Sequence, residues 1–462
     1  MTRILAIDQG TSSTKAILVD ETGAILARAT APLTTQYPHP GWAEQSASAI
    51  WASVQKVMAE LAPHGRPDGI AIANQRETLV IWDRVTGQAL CPAPIWQCRR
   101  TAEAAARLIA AGHDAQVVAA TGLGINPLFP AGKLGWVLKN IPEARPLLDQ
   151  GRLCAGTVDA WLLWNLTGEF ATDHSNASRT QLFDTRNLTF SPDLAALFGA
   201  ATACLPAPLP SDSLFGKTAE GVPVLAMMGD SHAALYGHGV RSPGTVKATY
   251  GTGSSLMTLT PGRVASSHGL SGTIAWTNRH GTAHALEGNI TVSAQAAGFM
   301  AGLLGLTSAS ELSALAESVP DSGGVAFVPA LAGLGAPHWD DAARGTVTGM
   351  THGTTRAHLA RAAIEAIAHQ IADVFTAMEA DGGRLSGLRA DGGASGNAFL
   401  MQRQADFLNR PVLHSPLGAA AMAFTHFGVD LDLGAAPQTF APKAEAAADR
   451  ALWASALRKA RA

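Results

Sequence analysis

Short apolar runs interrupted by glycine dominate the start of the chain. Ile4 to Ile7 and Lys15 to Val19 read as strands, and the turn residues Asp20-Glu21-Thr22-Gly23 predict a hairpin into a further strand over Ala24 to Ala29. Ile70 to Ala73 and Leu79 to Trp82 are short buried-strand candidates, while the alanine-rich stretch Thr101 to Ala111 predicts a helix. The longest periodic pattern is Thr355 to Ala380, where Leu359, Ile364, Ile367, Ile371, Val374, Phe375 and Met378 recur at helical spacing. Thr354 or Thr355 can cap that helix and Gly382-Gly383 can stop it. Its Glu365, His369 and Asp373 share one polar face, read here as a solvated or interdomain surface. A further helix is expected from about Asn397 to Leu408.

Strands and helices mixed in this way predict an α/β protein. At 462 residues the chain exceeds one compact core, so two domains of roughly 200 residues each are expected. Leu205-Pro206-Ala207-Pro208-Leu209-Pro210-Ser211 reads as a proline-rich loop before the apolar run Val224 to Met228. The boundary falls near Gly237 to Gly244, giving domains 1–238 and 239–462.

Composition changes little in this picture. With 47% hydrophobic and 15% charged residues and a net charge of -3, nothing recruits nucleic acid or an anionic membrane by charge. No run approaches the ~18 consecutive apolar residues of a membrane span, and Met1-Thr2-Arg3 leads into strand-like sequence rather than a secretory signal. A cytoplasmic protein is expected. Cys91, Cys98, Cys154 and Cys204 lack CxxC spacing and read as reduced bystanders. A homodimer is a reasonable default for a chain of this size and composition.

The chemistry concentrates at three glycine turns. Asp8-Gln9-Gly10-Thr11-Ser12-Ser13 and Tyr250-Gly251-Thr252-Gly253-Ser254-Ser255 each pair glycine, which lets backbone approach an anion, with hydroxyls and amides that donate to phosphate oxygens. Neither a Walker loop nor a GxGxxG after the first strand is present. Asp8, at a strand end, is suited to hydrated magnesium while the loop amides and Lys15 meet phosphate. The third turn, Asp391-Gly392-Gly393-Ala394-Ser395-Gly396-Asn397, precedes a helix whose free amides and dipole favour anions. One clamp per half suggests a nucleotide held between two related domains.

Other residues suit a polyhydroxyl acceptor. Asn74-Gln75-Arg76-Glu77-Thr78 gathers donors and acceptors at a strand end, although a surface loop explains it equally well. Trp96 in Ile95-Trp96-Gln97-Cys98-Arg99-Arg100 offers an indole face to a carbon skeleton, or is a core tryptophan. Asp230, in Gly229-Asp230-Ser231-His232, can take a proton from an attacking alcohol or can cap the following helix.

These strings resemble the FGGY carbohydrate kinases, and among them the glycerol kinases: DQGTSSTK, YPHPGWAEQ, NQRET, IWQCRR, GTVDAWLLWNLTG, TDHSNASRT, YGTGSS, VPALAGLGAPHWDDAARG and DGGASGNAFLMQ. The resemblance covers most of the chain. It implies two actin-like, ribonuclease-H-type α/β domains with ATP and acceptor meeting in the cleft between them. By the same resemblance Asp8 is the magnesium-associated aspartate, and Thr11, Ser12, Ser13 and Lys15, with Gly10, form the first phosphate loop. Thr252 and Gly253 match the second loop, and Gly393 and Asn397 the adenosine-binding turn. Arg76, Glu77 and Trp96 match glycerol-contacting positions, and Asp230 the catalytic base. The implied cofactors are ATP and Mg2+, and the implied partner is a small polyol or sugar. The competing class is a switch ATPase signalling to a protein partner, which needs no polyhydroxyl pocket.

Three departures bear on the acceptor. Leu128 in Pro127-Leu128-Phe129 stands where glycerol kinases carry tyrosine, Ser231 where they carry glutamine at a substrate-binding position, and Ser255 where a phenylalanine packs on glycerol. Each removes bulk or a contact, which points to an acceptor of four or five carbons beside glycerol itself. His232 is a candidate for meeting an extra hydroxyl. The insertion linked to sugar-bisphosphate inhibition is absent around Lys217 to Val222, so no such inhibition is expected.

Overall fold

The computed structural model describes residues 2–414, 438–443 and 445–462. It divides into two compact units, the first containing residues up to Gly239 together with Gly272–His284, and the second Val240–Ser271 and most of the chain from Ala285 onward.

The first unit is built on a twisted mixed sheet. Strands β1 (Arg3–Gln9), β2 (Ser13–Asp20) and β3 (Ile25–Pro32) form an antiparallel meander. Strand β4 (Gly69–Asn74) pairs parallel to β1, and β5 (Pro223–Gly229) parallel to β4, giving the order β3-β2-β1-β4-β5. Ile4 to Ile7 and Ile70 to Ala73 are buried throughout, because helices cover the sheet and both faces must be apolar. Helix α1 (Ala47–Leu61) brings Ile50, Val54 and Val57 onto it, and Ser46 caps that helix by accepting from the Ala49 amide at 3.3 Å. Helices α2 (Pro130–Asn140), α3 (Val158–Thr167), α4 (His174–Ala177) and α5 (Asp230–Gly237) complete the part that matters for the site.

The proline-rich stretch is more ordered than expected. Ala207–Leu209 forms a short strand pairing parallel with Ala171–Asp173, and Ala207 donates to the Phe170 carbonyl at 3.1 Å. Proline is tolerated there because a two-stranded edge does not need the Pro208 N–H.

The second unit repeats the arrangement. Strands β6 (Thr245–Tyr250) and β7 (Ser254–Thr260) are antiparallel, β8 (Gly281–Ile290) lies beside β7, and β9 (Gly387–Asp391) pairs parallel to β6. Strands β10 (Val412–His414) and β11 (Gln438–Phe440) extend the sheet to the order β8-β7-β6-β9-β10-β11. Its core gathers Val246, Ala248 and Tyr250 with Ile364, Ile367, Ile371 and Phe375 of helix α6 (Arg356–Gly382), and with Leu400 and Met401 of helix α7 (Ala398–Leu408).

Helix α6 corrects one expectation. Its Glu365, His369 and Asp373 do not face solvent: Glu365 and His369 are buried, and all three are engaged within this unit. Glu365 accepts from Arg361 Nε and Arg403 Nε, each at 2.9 Å. The His369 ring stacks between Phe407 and Trp453, at 4.0 and 5.1 Å between centroids. Asp373 accepts from Arg450 and, at 2.7 Å, from the Trp453 indole. Helix α8 (Ala447–Ala460) supplies Arg450 and Trp453 and covers this face, so the apparent polar stripe is a buried ion-pair seam. Buried charges persist there because each has a partner.

Candidate active site

The first glycine turn joins β1 to β2. The Gly10 amide donates to the Ser13 carbonyl at 3.0 Å, which closes the turn, and Ser12 and Lys15 stay exposed. Asp8 stands directly across the ladder from Lys15. Burial pushes the Asp8 carboxyl up to about 6, the charge of Asp230 adds to the rise, and Lys15 opposes it. The strand end thus holds a carboxylate short of cationic partners. A hard divalent cation with its own water shell is the group that relieves such a site, since magnesium typically uses one or two carboxylates plus substrate phosphates. Asp8 fits that role.

The segment Asn74 to Thr78 is not a surface loop. All five residues are buried where β4 ends, which holds their polar groups in fixed geometry. Arg76 donates from Nε to Asp230 Oδ1 at 2.9 Å and from Nη2 to Ser231 Oγ at 3.2 Å. Glu77 accepts from Arg179 Nε at 2.7 Å and adopts a left-handed backbone with φ of 61°. That backbone is held by Lys133 on α2, whose ammonium donates to the Glu77 carbonyl at 2.8 Å and the Leu128 carbonyl at 2.6 Å. Complete burial pushes Lys133 down to about 7, against the pull of the Glu77 charge.

Asp230 opens helix α5 rather than capping it. Gly229 occupies the cap position, and the Asp230 carboxylate, 41% exposed, turns to Arg76. Glycine is required at 229, since a Cβ there would lie 2.6 Å from the Arg76 side chain and 2.8 Å from His232 Nδ1. The Gly229 amide donates to Ser175 Oγ at 3.0 Å, and Ser175 Oγ donates to the fully buried Asp173 at the same distance. Helix α4 therefore anchors the strand end that presents Asp230. His232 is fully buried with Nε2 3.3 Å from Thr273 Oγ1, which argues against a role in meeting an acceptor hydroxyl.

Trp96 is a partly exposed residue rather than a core tryptophan. Its indole N–H donates to Thr11 Oγ1 at 2.9 Å, joining its segment to the first turn.

In the second unit the Gly251 amide donates to the Gly253 carbonyl at 3.0 Å, leaving Thr252 exposed at the tip. Gly253 lies against the neighbouring backbone, and a Cβ would come within 2.5 Å of the Ile290 carbonyl oxygen. The third turn packs on the same strand: a Cβ on Gly392 would meet the Tyr250 carbonyl at 2.6 Å, whereas Gly393 is exposed with open space beside it. Asn397 caps α7, accepting from the Leu400 amide at 3.0 Å and donating to Ser313 Oγ at 2.5 Å. Its side chain is thus occupied in shaping the turn. Ser255 donates to Glu287 Oε1 at 2.9 Å.

Within the first unit the structure brings together Asp8, Gly10 to Ser13, Lys15, Arg76, Glu77, Trp96, Asp230 and Ser231. Within the second, Thr252 and Gly253 share one turn, and the turn carrying Gly393 and Asn397 packs through Gly392 on Tyr250, at the start of it. Sequence reasoning missed Lys133, Arg179 and Ser175. A lysine on the apolar side of a helix was the only available signal for Lys133, and Arg179 and Ser175 lay within the string TDHSNASRT without an assigned task.

The family models for the N-terminal and C-terminal domains of FGGY carbohydrate kinases match residues 3–237 and 246–425. An apulose kinase of Pectobacterium atrosepticum is 47% identical over 437 residues, covering 90% of this chain and 88% of that protein. A glycerol kinase of Alkalilimnicola ehrlichii is 42% identical over 490 residues, covering 100% and 98%. Among solved structures, Plasmodium falciparum glycerol kinase with ADP superposes with a TM-score of 0.92 at 30% identity, covering 100% and 98% of the two chains. A xylulose kinase from Rhodospirillum rubrum gives 0.84 at 26% identity, covering 99% and 97%.

Proposed function

The chain belongs to the FGGY family of carbohydrate kinases, phosphotransferases with an alcohol group as acceptor, and from that premise we propose that it phosphorylates a terminal hydroxyl of a ketose or polyol larger than glycerol. The observation that carries the chemistry is the fork of Arg76 on Asp230 and Ser231 at the end of a buried strand. Arg76 occupies Asp230 Oδ1 and fixes the carboxylate in place, leaving the second oxygen to receive a proton. The acceptor oxygen attacks the γ-phosphorus of ATP, the bond to the β-phosphate oxygen breaks, ADP leaves, and the acceptor's proton goes to Asp230.

Gly10 to Ser13 and Lys15 are the groups we assign to phosphate oxygens in the first unit, and Thr252, Gly253 and Gly393 those we assign to the nucleotide in the second. Mg2+, held through Asp8, would neutralise charge on the phosphates. Arg76, Glu77 and Trp96 bind and orient the acceptor. Asn397 acts by shaping its turn. ATP as donor agrees with the ADP-bound Plasmodium relative, and a cytoplasmic location agrees with that donor. No described helix is long and apolar enough to cross a membrane.

The larger acceptor rests on Leu128, Ser231 and Ser255, which lack the bulk found in glycerol kinases, and on the relative named an apulose kinase. Glycerol is the second reading, favoured by the glycerol kinases of similar identity. A screen of ATP consumption over glycerol, tetritols, pentitols, ketopentoses and apulose tests both. Highest kcat/KM on a ketose or longer polyol supports the proposal, and highest kcat/KM on glycerol overturns it. Light scattering on the purified enzyme tests the expected homodimer.

A further inference from the structure

Behind Trp96 and Thr11 lies a closed network of amides. Gln9, Gln45, Gln75 and Thr78 are all essentially inaccessible to solvent. Gln75 Nε2 donates to Gln45 Oε1 at 2.9 Å and to Gln9 Oε1 at 3.2 Å, so the oxygen of the Gln75 amide must face the other way. That oxygen accepts from Thr78 Oγ1 at 2.9 Å and from Thr11 Oγ1 at 3.3 Å. Gln45 Nε2 donates to the Thr11 carbonyl at 2.6 Å and so fixes the backbone of the first turn as well. Every member has a defined role as donor or acceptor.

Thr11 is the hydroxyl of this network that stands on the first turn. Its oxygen accepts from the Trp96 indole at 2.9 Å, so its single proton must point elsewhere, and its present acceptor, Gln75 Oε1, is distant at 3.3 Å. A phosphate oxygen at the turn is a stronger acceptor, because it is charged. Turning the proton to phosphate leaves Gln75 Oε1 satisfied by Thr78 and leaves the Trp96 bond intact. The exchange therefore strands no buried polar atom.

We propose that the Thr11 hydroxyl couples the two substrates. A carbon skeleton packed on the Trp96 ring holds the indole N–H on Thr11 Oγ1, which reserves the lone pair and leaves the proton for phosphate. Phosphate on the first turn fixes the hydroxyl in the orientation that receives the indole, so each ligand orders a group the other needs. Such coupling is reciprocal. The inference rests on the reading above, in which Trp96 meets the acceptor and the first turn meets the donor.

The test is calorimetric titration of Mg-AMP-PNP in the absence and presence of saturating acceptor, using whichever of glycerol, D-xylulose and apulose the enzyme turns over fastest. Wild type is expected to bind the analogue about 5-fold or more tightly with acceptor present. Trp96→Phe keeps the ring and removes only the N–H, and the gain should fall below about 2-fold. Thr11→Val makes the same test from the other end of the bond, and Thr11→Ser should restore the coupling. A purely structural role would weaken both titrations alike and leave their ratio unchanged. Retention of the wild-type ratio in Trp96→Phe or in Thr11→Val overturns the inference, as does a wild-type enzyme that phosphorylates acceptor with no coupling at all. If none of the acceptors is phosphorylated, it is the kinase reading that fails.

Discussion

The two hairpin turns of this protein are the same backbone device set between different flanking residues. In the first unit Gly10, Thr11, Ser12 and Ser13 lie between the paired residues Gln9 and Thr14; in the second, Gly251, Thr252 and Gly253 lie between Tyr250 and Ser254. Each is anchored behind by a short hydroxyl pair, Thr14 with Ser53 and Ser254 with Ser293, both at 2.6 Å. The next ladder position differs in kind. The first turn carries Asp8 across from Lys15, whereas the second carries Thr249 across from Ser255. The first hairpin itself carries the charged pair, and Asp230 adds to it, whereas the carboxylate beside the second hairpin, Asp391, stands next to Thr249 on the neighbouring strand. One backbone module is thus flanked by a charged pair in the first unit and by a hydroxyl pair in the second.

The strongest way to sharpen this contrast is at the charged end. Asp230→Asn should lower kcat roughly 10³-fold while leaving AMP-PNP binding nearly intact, as removal of a general base does. Near-normal turnover would remove Asp230 as the base. At the matched ladder positions, Asp8→Asn should lower kcat roughly 10²-fold and raise the magnesium needed for half-maximal rate. Thr249→Ala should change neither by more than about tenfold. Equal losses at the two positions would break the comparison.

The glycines of the two turns are not equally tightly packed, and Gly253 is the closest to its surroundings. Gly253→Ala puts a Cβ within 2.5 Å of backbone, and should destabilise the protein by about 1–3 kcal/mol and raise KM for ATP. At Gly10, and at Gly251 in the matching place of the second turn, the contact is 3.2 Å, so Gly10→Ala should cost less in a denaturant melt. Ser255→Phe should shift the ratio of kcat/KM values toward glycerol by roughly tenfold relative to longer acceptors. An unchanged order of preference would sink the assignment of Ser255 to acceptor choice.

The smallest effect expected is on stability against pH. Burial, and then the charge of Asp173, push the Asp159 carboxyl from 3.8 up to about 7. Between those values the folded protein binds a proton that the unfolded chain releases, so this group's stabilising contribution is complete below 3.8 and is lost as pH rises through about 7. Asp159→Asn should flatten the fall in melting temperature across that window. An unaltered slope would mean that Asp159 is ionised in the folded protein.

Much of the site was legible in the chain because turn chemistry is local. Glycine followed by hydroxyls, flanked by apolar runs, encodes a hairpin within six residues, and both turns form where those strings stand. Helix α6 was legible for the same reason, from the spacing of Ile364, Ile367 and Ile371 to the glycines at its end. Its polar face was misread, since nothing in Glu365, His369 and Asp373 announces that Arg403, Arg450 and Trp453 will return from later in the chain to cover them. Lys133 posed the same difficulty. A buried ammonium is worth its desolvation only when carbonyls such as those of Glu77 and Leu128 are brought to it by distant backbone.

Residues close in sequence were thus sufficient to determine the family, the glycine turns and the strand end that carries Asp230, because backbone conformation and binary pattern are set by near neighbours. Tertiary packing alone settled which charges those elements present to one another. The Trp96–Thr11 bond joins residues 85 positions apart and the Arg76–Asp230 bond joins residues 154 apart. Hydrogen bonds are directional over about 3 Å, and only the closing of the sheet brings such groups within that reach.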